Sequence, residues 1–157
     1  MTNDLSLPKV TELSNIERMI DVAREVRNKA IIALLYSSGL RVSELCRLAP
    51  QDIYLSTMQV HVRSGKNHCD HWTILSQKAA DLLVEYWKSN PRKRDYLFVS
   101  LKAPYKPLSK NGVRCMIRKI GDEAGVPHAH PHLLRHSFAS HMIEHDVSCL
   151  LYTSPSP

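Results

Sequence analysis

The sequence predicts an α+β fold that is mostly helical and contains a small antiparallel β-hairpin or sheet. Several segments place apolar residues at helical spacing behind a capping residue or a proline. One stretch near the middle of the chain instead alternates apolar and polar residues in the manner of paired strands. The 157 residues, 43% of them apolar, suffice for one domain with its own core.

The first third of the chain contains three predicted helices behind a linker. Residues 1–13 are polar, lack periodicity and are interpreted as the linker. Ser14 and Glu17 form a capping-box pattern at the start of the first helix. A second helix over residues 29–37 is apolar nearly all round, which predicts that it is buried. A Ser-Gly pair interrupts that helix, and a new helical turn begins at Arg41.

The middle of the chain contains the predicted strands. Residues 58–63 alternate between apolar and polar, which indicates a half-buried strand. A turn at 64–67 leads to a returning strand over 72–75, so the two strands form a hairpin. A further short strand is predicted over 96–99.

Three further helices are predicted in the second half of the chain. Ser76 caps the first of them, which ends at an Asn-Pro pair. Ser109 caps the next, and Gly125 lies where it ends. The last clear helix covers about 131–144 and begins at Pro131, which suits a first helical turn because its missing N–H would have no partner there.

Positive charge is concentrated in one segment of the chain. The net charge is +6, but residues 88–119 contain ten Lys or Arg and one acid, so this segment carries +9 and the remainder −3. The helix that follows Ser109 has an outward i, i+4, i+8 stripe of Lys110, Arg114 and Arg118. A basic excess on a slightly acidic body indicates a polyanion-binding face, and a solvated surface with ordinary lysines is the alternative.

The composition argues against a membrane or secreted protein. The longest apolar run, residues 30–36, is far too short to span a bilayer, and the N-terminus lacks the features of a signal peptide. The four cysteines lie far apart without a CxxC pair, which fits reduced thiols. We therefore expect a cytoplasmic protein without a membrane partner.

The last predicted helix brings together an imidazole and a guanidinium. His132 and Arg135 lie three residues apart and share a helix face. The imidazole exchanges a proton, whereas the guanidinium is a permanent cation with a planar fork of donors. Such a pair suits an anionic oxygen substrate, a phosphate above all. A surface histidine beside a solvated arginine is the alternative.

Two other places in the chain offer phosphate-directed groups. Arg41 begins a helix, with Glu44 one turn later, and Lys66 lies at the tip of the predicted hairpin. Each also has an ordinary interpretation. Arg41 and Glu44 are spaced as a surface ion pair worth a few tenths of a kcal/mol, and lysines are common in turns.

A metal site is the main alternative for the histidine-rich stretches at 68–71 and 128–132. Structural zinc needs four converging ligands, usually with CxxC or HxxxH spacing. Both stretches lie in predicted turns without such pairing. We therefore expect no metal.

Taken together, these motifs resemble those of one family, the tyrosine recombinases, also called phage-type integrases. Residues 36–45, Tyr-Ser-Ser-Gly-Leu-Arg-Val-Ser-Glu-Leu, resemble its first arginine box, and Val-Arg-Ser-Gly-Lys at 62–66 is similar to its β-hairpin lysine motif. Residues 131–141 resemble its HxxR box, and Leu-Pro-Lys-Val at 7–10 resembles the usual entry into its catalytic domain. Type IB topoisomerases use related chemistry but fit the three boxes less well.

The resemblance implies site-specific DNA recombination or integration without a metal or nucleotide cofactor. A tyrosine attacks the scissile phosphate of double-stranded DNA and leaves a 3′-phosphotyrosyl link, and the full-length parent acts as a homo-oligomer on DNA. Arg41 and Arg135 would clamp the non-bridging phosphate oxygens. Lys66 would protonate the leaving 5′-oxygen, and His132 would hydrogen-bond the phosphate or exchange a proton with the nucleophile.

Supporting roles are implied for several other residues. Glu44 would orient Arg41, and His136 would support its helix rather than react. The basic stripe would contact DNA through Lys110, Arg114 and Arg118. A catalytically inactive DNA-binding module is the alternative function.

The family pattern is incomplete at both ends. The helical DNA-clamping domain that usually precedes the linker is not found, and neither is the second His/Trp box. Tyr152 lies only 17 residues past Arg135, much less than the family's usual distance, so we expect the nucleophile to be absent rather than to be Tyr152. Residues 14–148 are thus interpreted as an incomplete catalytic domain. Residues 149–157 contain two Ser-Pro pairs, resemble a reading frame through a transposase-type sequencing adapter and are expected to be a non-native tail.

Overall fold

The computed structural model describes residues 10–63, 70–91 and 94–144. Within these residues, six helices accompany one three-stranded antiparallel sheet, which confirms the predicted α+β class. The helices are α1 (Leu13–Val22), α2 (Val26–Ser38), α3 (Val42–Arg47), α4 (Gln77–Ser89), α5 (Lys110–Ala124) and α6 (Pro131–Glu144). The strands are β1 (Ile53–Tyr54), β2 (Gln59–Val62) and β3 (His71–Ile74), and a short 3-10 helix (Pro50–Asp52) precedes β1.

Helix α2 is the centre of the core and contacts α1, α4 and α6. Its sequence is apolar from Ala30 to Tyr36, and four aliphatic side chains there are completely buried: Ile31, Ile32, Leu34 and Leu35. The predicted buried helix is therefore confirmed, although it begins at Val26 rather than near residue 29. No helix in the described ranges is both long and apolar enough to cross a membrane.

The sheet confirms the predicted hairpin and adds a third strand. β2 lies in the middle, with Val60 paired to Ile53 of β1 on one side and to Thr73 of β3 on the other. Val60 and Val62 are buried, and His61 between them lies on the opposite face, as alternation along a strand requires. The hairpin tip, residues 64–69, lies outside the described residues.

The predicted capping residues of the helices in the second half of the chain are confirmed. The Ser76 and Ser109 hydroxyls accept hydrogen bonds from the backbone N–H of Ala79 (3.1 Å) and Gly112 (2.9 Å), which begins α4 and α5. Gly125 ends α5 in the left-handed conformation, and α6 covers the predicted residues.

The predicted capping box of the first helix is wrong. Helix α1 begins at Leu13 with Glu12 at its N-cap, so Ser14 is already inside the helix and caps nothing. Thr11, in the segment interpreted as a linker, is buried, and its backbone N–H donates to Ser137 Oγ on α6 at 2.9 Å. Tertiary contact with α6 therefore determines where this helix begins, rather than the local capping pattern.

The strand predicted over 96–99 is also wrong. These residues are bent, and only Val99 forms an isolated bridge, with Pro107. The Leu97 N–H donates to the Leu48 carbonyl at 2.8 Å, and the Val99 carbonyl accepts from Arg27 Nη1 at 3.0 Å. Because a loop and a side chain satisfy these buried backbone groups, the segment needs no neighbouring strand.

Candidate phosphate-binding site

A cavity of about 310 Å³ lies between the start of α3, the helix α5 and the start of α6. Its wall consists of Arg41, Val42, Arg114, His130, Pro131, His132 and Arg135. The structure therefore brings together Arg41, His132 and Arg135. These residues come from two separate sequence motifs, and the sequence predicts that all three bind phosphate. None of the seven wall residues is acidic, so the cavity favours an anion.

Gly39 determines how closely α2 and α6 approach beside this cavity. Its φ of +64° is a left-handed conformation that glycine adopts without steric cost. A Cβ at this position would lie 2.6 Å from Cδ2 of Phe138, so any larger residue requires the Phe138 ring to move. The chain thus reverses at the end of α2 and delivers Arg41 to the N-terminus of α3.

The guanidinium of Arg135 is held by the same turn. Its Nε donates a hydrogen bond to the carbonyl oxygen of Gly39 at 2.9 Å. No hydrogen bond joins its two Nη groups to another residue in the described part of the chain. The side chain is therefore oriented before any ligand binds, and its terminal donors remain available.

Glu44 supports Arg41 through the backbone. Glu44 Oε1 accepts the backbone N–H of Arg41 at 2.8 Å, and Glu44 is only 9% exposed. The ordinary surface ion pair considered from the sequence is not among the three ion pairs of the described residues. The carboxylate thus caps α3 and leaves the exposed guanidinium of Arg41 without a carboxylate partner there.

Three histidines lie in a row at the start of α6. The ring centroids of His132 and His136 are 4.0 Å apart, and those of His130 and His132 are 6.3 Å apart. His130 Nδ1 accepts the backbone N–H of Leu133 at 3.1 Å, so His130 caps the helix. From the sequence, His130 is only a candidate metal ligand. Its capping role is not predicted, because imidazole rarely caps a helix.

Both histidines in the cavity wall are weaker bases than a solvated imidazole. Burial lowers the pKa of His130, and the neighbouring His132, His136 and His128 lower it further. Partial desolvation against the wall, followed by His136 and Arg135, lowers the pKa of His132. His132 is therefore neutral at pH 7 and can accept as well as donate a proton.

The basic segment divides into side chains with different environments. Lys110, Arg114 and Arg118 are all exposed on α5, as predicted, but Arg114 alone among the three lines the cavity. Arg94 instead donates from Nη1 to the Tyr86 hydroxyl at 3.0 Å, and its guanidinium lies 5.4 Å from the centroid of that ring. Net charge along the sequence cannot distinguish these environments.

Several predicted residues lie outside the described ranges. These are Lys66 at the hairpin tip and Tyr152 together with the segment 149–157. The metal-ligand stretch at 68–71 is described only from residue 70 onwards. Within the ranges that are described, no three His, Cys, Asp or Glu side chains converge as a metal site.

Residues 9–150 match the sequence profile of the phage integrase family. The chain belongs to this family. It is 37% identical over 143 residues to the tyrosine recombinase XerA of Pyrococcus horikoshii, a match that covers 90% of this chain and 50% of that protein. It is 35% identical over 144 residues to the tyrosine recombinase XerC of Bacillus pumilus, covering 84% and 46%. The chain therefore spans about half the length of these relatives.

Solved structures share its fold. The crystal structure of XerA recombinase superimposes with a TM-score of 0.82 at 26% identity, covering 99% of this chain and 62% of that one. The XerH site-specific recombinase, solved with its difH substrate in a pre-cleavage complex, superimposes with a TM-score of 0.70 at 22% identity, covering 97% and 48%. The predicted family and its catalytic-domain fold are confirmed.

Proposed function

We propose that this chain is the catalytic part of a site-specific recombinase that cleaves and rejoins double-stranded DNA through a 3′-phosphotyrosine intermediate. The observation that carries the proposal is the convergence of Arg41, His132 and Arg135 on one cavity without acidic residues. Membership of the phage integrase family supports the same reaction. The full-length parent would act as a homo-oligomer on DNA in the cytoplasm.

The two arginines would stabilise the phosphate during reaction. Phosphoryl transfer depends mainly on positioning and on stabilising charge on the non-bridging oxygens. Arg135 is oriented by the Gly39 carbonyl, and the backbone of Arg41 is held by Glu44. Donors that are fixed before the reaction lose little free energy to reorganisation, so they stabilise the transition state more than mobile donors do.

The proton transfers would involve His132 and Lys66. As the tyrosine oxygen bonds to phosphorus, the bond to the 5′-oxygen breaks, and the leaving oxygen takes a proton from Lys66. Neutral His132 would hydrogen-bond the phosphate or accept the proton of the attacking hydroxyl. The phosphotyrosyl ester conserves the energy of the phosphodiester bond, so rejoining requires no nucleotide cofactor.

Trapping of a covalent adduct tests this function. The full-length parent is incubated with nicked duplex DNA, and protein–DNA adducts are resolved on a denaturing gel. Arg41→Ala and Arg135→Ala should each reduce the adduct about 100-fold or more, because each removes a fixed donor from the transition state. Unchanged far-UV circular dichroism should accompany the loss, since neither side chain is buried.

Two outcomes of the same assay would contradict the assignment. Cleavage at the wild-type rate in either variant would remove that arginine from the site, and DNA binding by the parent without any adduct would identify an inactive DNA-binding module. The present chain alone should form no adduct. An adduct that it forms and that Tyr152→Phe abolishes would assign the nucleophile to Tyr152.

A further inference from the structure

Arg114 borders the same cavity as Arg41 and Arg135, although its sequence pattern places it in the exposed stripe of α5. Three guanidinium groups from three different elements therefore surround a space of about 310 Å³. One water needs only roughly 10–15 Å³ of such space, so the cavity holds many waters. A phosphate group and part of the adjoining DNA backbone fit into such a space.

The position of Arg114 follows from the buried face of α5. Val113 and Ile117 are buried, and the helix contacts α1, α3 and α6. Consecutive residues of a helix point about 100° apart, so Arg114 projects from the edge of the packed face towards the gap between α3 and α6. Arg118 lies one turn further along, about 6 Å away on the helix axis, and is not part of the wall.

The guanidinium of Arg114 serves no visible structural purpose. It is exposed and takes part in no hydrogen bond or ion pair with the residues that the structure describes. Like charges around one cavity repel each other, so this arrangement of arginines is unfavourable without a ligand. A bound anion would offset the repulsion. Arg114 therefore belongs to a ligand site rather than to the scaffold.

We propose that Arg114 is a third arginine of the phosphate site and binds the same anion as Arg41 and Arg135. The identity of that anion as a DNA phosphate rests on the proposed function. The planar fork of Arg114 can donate two parallel hydrogen bonds to phosphate oxygens, whereas Arg118 contributes only general attraction for the DNA backbone.

Titration with inorganic phosphate tests the proposal on the chain as it exists. The imidazole resonances of His132 are followed by NMR at low ionic strength in the wild type and in variants. Arg114→Gln and Arg135→Gln should each raise the phosphate Kd about tenfold, because each removes a charge-assisted hydrogen bond. Arg118→Gln removes the same charge from the same helix face and should change Kd less than about twofold.

Double variants show whether the arginines bind one anion. If Arg114 and Arg135 donate to the same phosphate, the loss in Arg114→Gln/Arg135→Gln differs from the product of the two single losses. The pair Arg118→Gln/Arg135→Gln should show simple multiplication of the two effects. A purely structural role of Arg114 would produce no such coupling. The melting temperature of the single variant Arg114→Gln should stay unchanged, because this side chain is exposed.

The possible failures are distinguishable. If Arg114→Gln behaves like Arg118→Gln while Arg135→Gln still weakens binding, Arg114 is not part of the site, and the proposed function is unaffected. If Arg135→Gln also binds phosphate as the wild type does, or if phosphate does not shift the wild-type His132 resonances, the cavity is not a phosphate site. Both proposals then fail.

Discussion

Two clusters in the described part of the chain combine arginine with histidine, and they differ in what the neighbouring carboxylate binds. Glu44 beside the cavity accepts the backbone N–H of Arg41, whereas the carboxylate on the sheet pairs with basic side chains. On the sheet, Asp52 lies between Arg63 and His61. Arg63 Nη2 is 3.1 Å from Asp52 Oδ2, and His61 Nδ1 is 3.4 Å from Asp52 Oδ1. Asp52 Oδ2 also accepts the backbone N–H of Ala49 at 2.9 Å. The guanidinium of Arg63 on the sheet is therefore compensated within the protein.

The cavity beside α6 has no such carboxylate in its wall. Among the described residues, the one side-chain hydrogen bond that an arginine of this wall donates runs from Arg135 Nε to the carbonyl oxygen of Gly39, which carries no net charge. Positive charge that the fold leaves uncompensated is available to an anionic ligand, whereas compensated charge holds the scaffold together. Whether a carboxylate pairs with the basic side chains, rather than which basic residues are present, distinguishes a ligand-binding site from a structural cluster.

The largest expected effect is that of Gly39→Ala, which disturbs the turn that supports the cavity. The new residue would adopt an unfavourable φ of +64°, and its Cβ would overlap Phe138. Backbone strain and overpacking together should lower the free energy of unfolding by about 3 kcal/mol, measured by urea denaturation. At Gly125, where φ is +76° and no atom lies within 4 Å of the added Cβ, alanine should cost about 1 kcal/mol.

Equal losses at the two glycines would show that Phe138 moves aside easily. The contact between the end of α2 and α6 would then not determine the shape of the cavity.

A smaller effect is expected from Asp52→Ala in the sheet cluster. This change leaves the buried N–H of Ala49 without its acceptor and removes the counter-charge of Arg63. The free energy of unfolding should fall by about 2 kcal/mol. Arg41→Gln in the cavity should change it by no more than about 0.5 kcal/mol, because that side chain is exposed. Similar losses in both variants would remove the distinction between the two clusters.

The smallest expected effect is a pH dependence at the start of α6. Burial and neighbouring positive groups lower the pKa of His130 and His132 in the folded protein. On acidification through the ordinary value of 6.5, the unfolded chain therefore binds more protons than the folded chain. The free energy of unfolding should fall as the pH decreases from about 7 to about 5, as measured by urea denaturation.

His130→Asn separates the contribution of the helix cap. Asparagine retains an acceptor for the Leu133 N–H but does not titrate. The variant should lose less stability on acidification than the wild type. A slope that stays the same would show that protonation of His130 does not contribute.

Local patterns predicted those elements whose cause is local. The caps at Ser76 and Ser109 and the proline at the start of α6 act within one helical turn, and all three helices form as predicted. The predictions failed at Ser14 and at 96–99, where distant segments decide the outcome. There, α6 holds Thr11, and Leu48 and Arg27 bind the backbone of the apparent strand.

The sequence by itself determined the family and the candidate roles of Arg41, His132 and Arg135, because these residues lie in short motifs whose order and spacing are recognisable. The tertiary structure alone decided that Arg114 joins them and that Arg94 packs on Tyr86. Helical periodicity shows which residues share a face, but which turn of a helix passes a neighbouring element depends on how the helices pack.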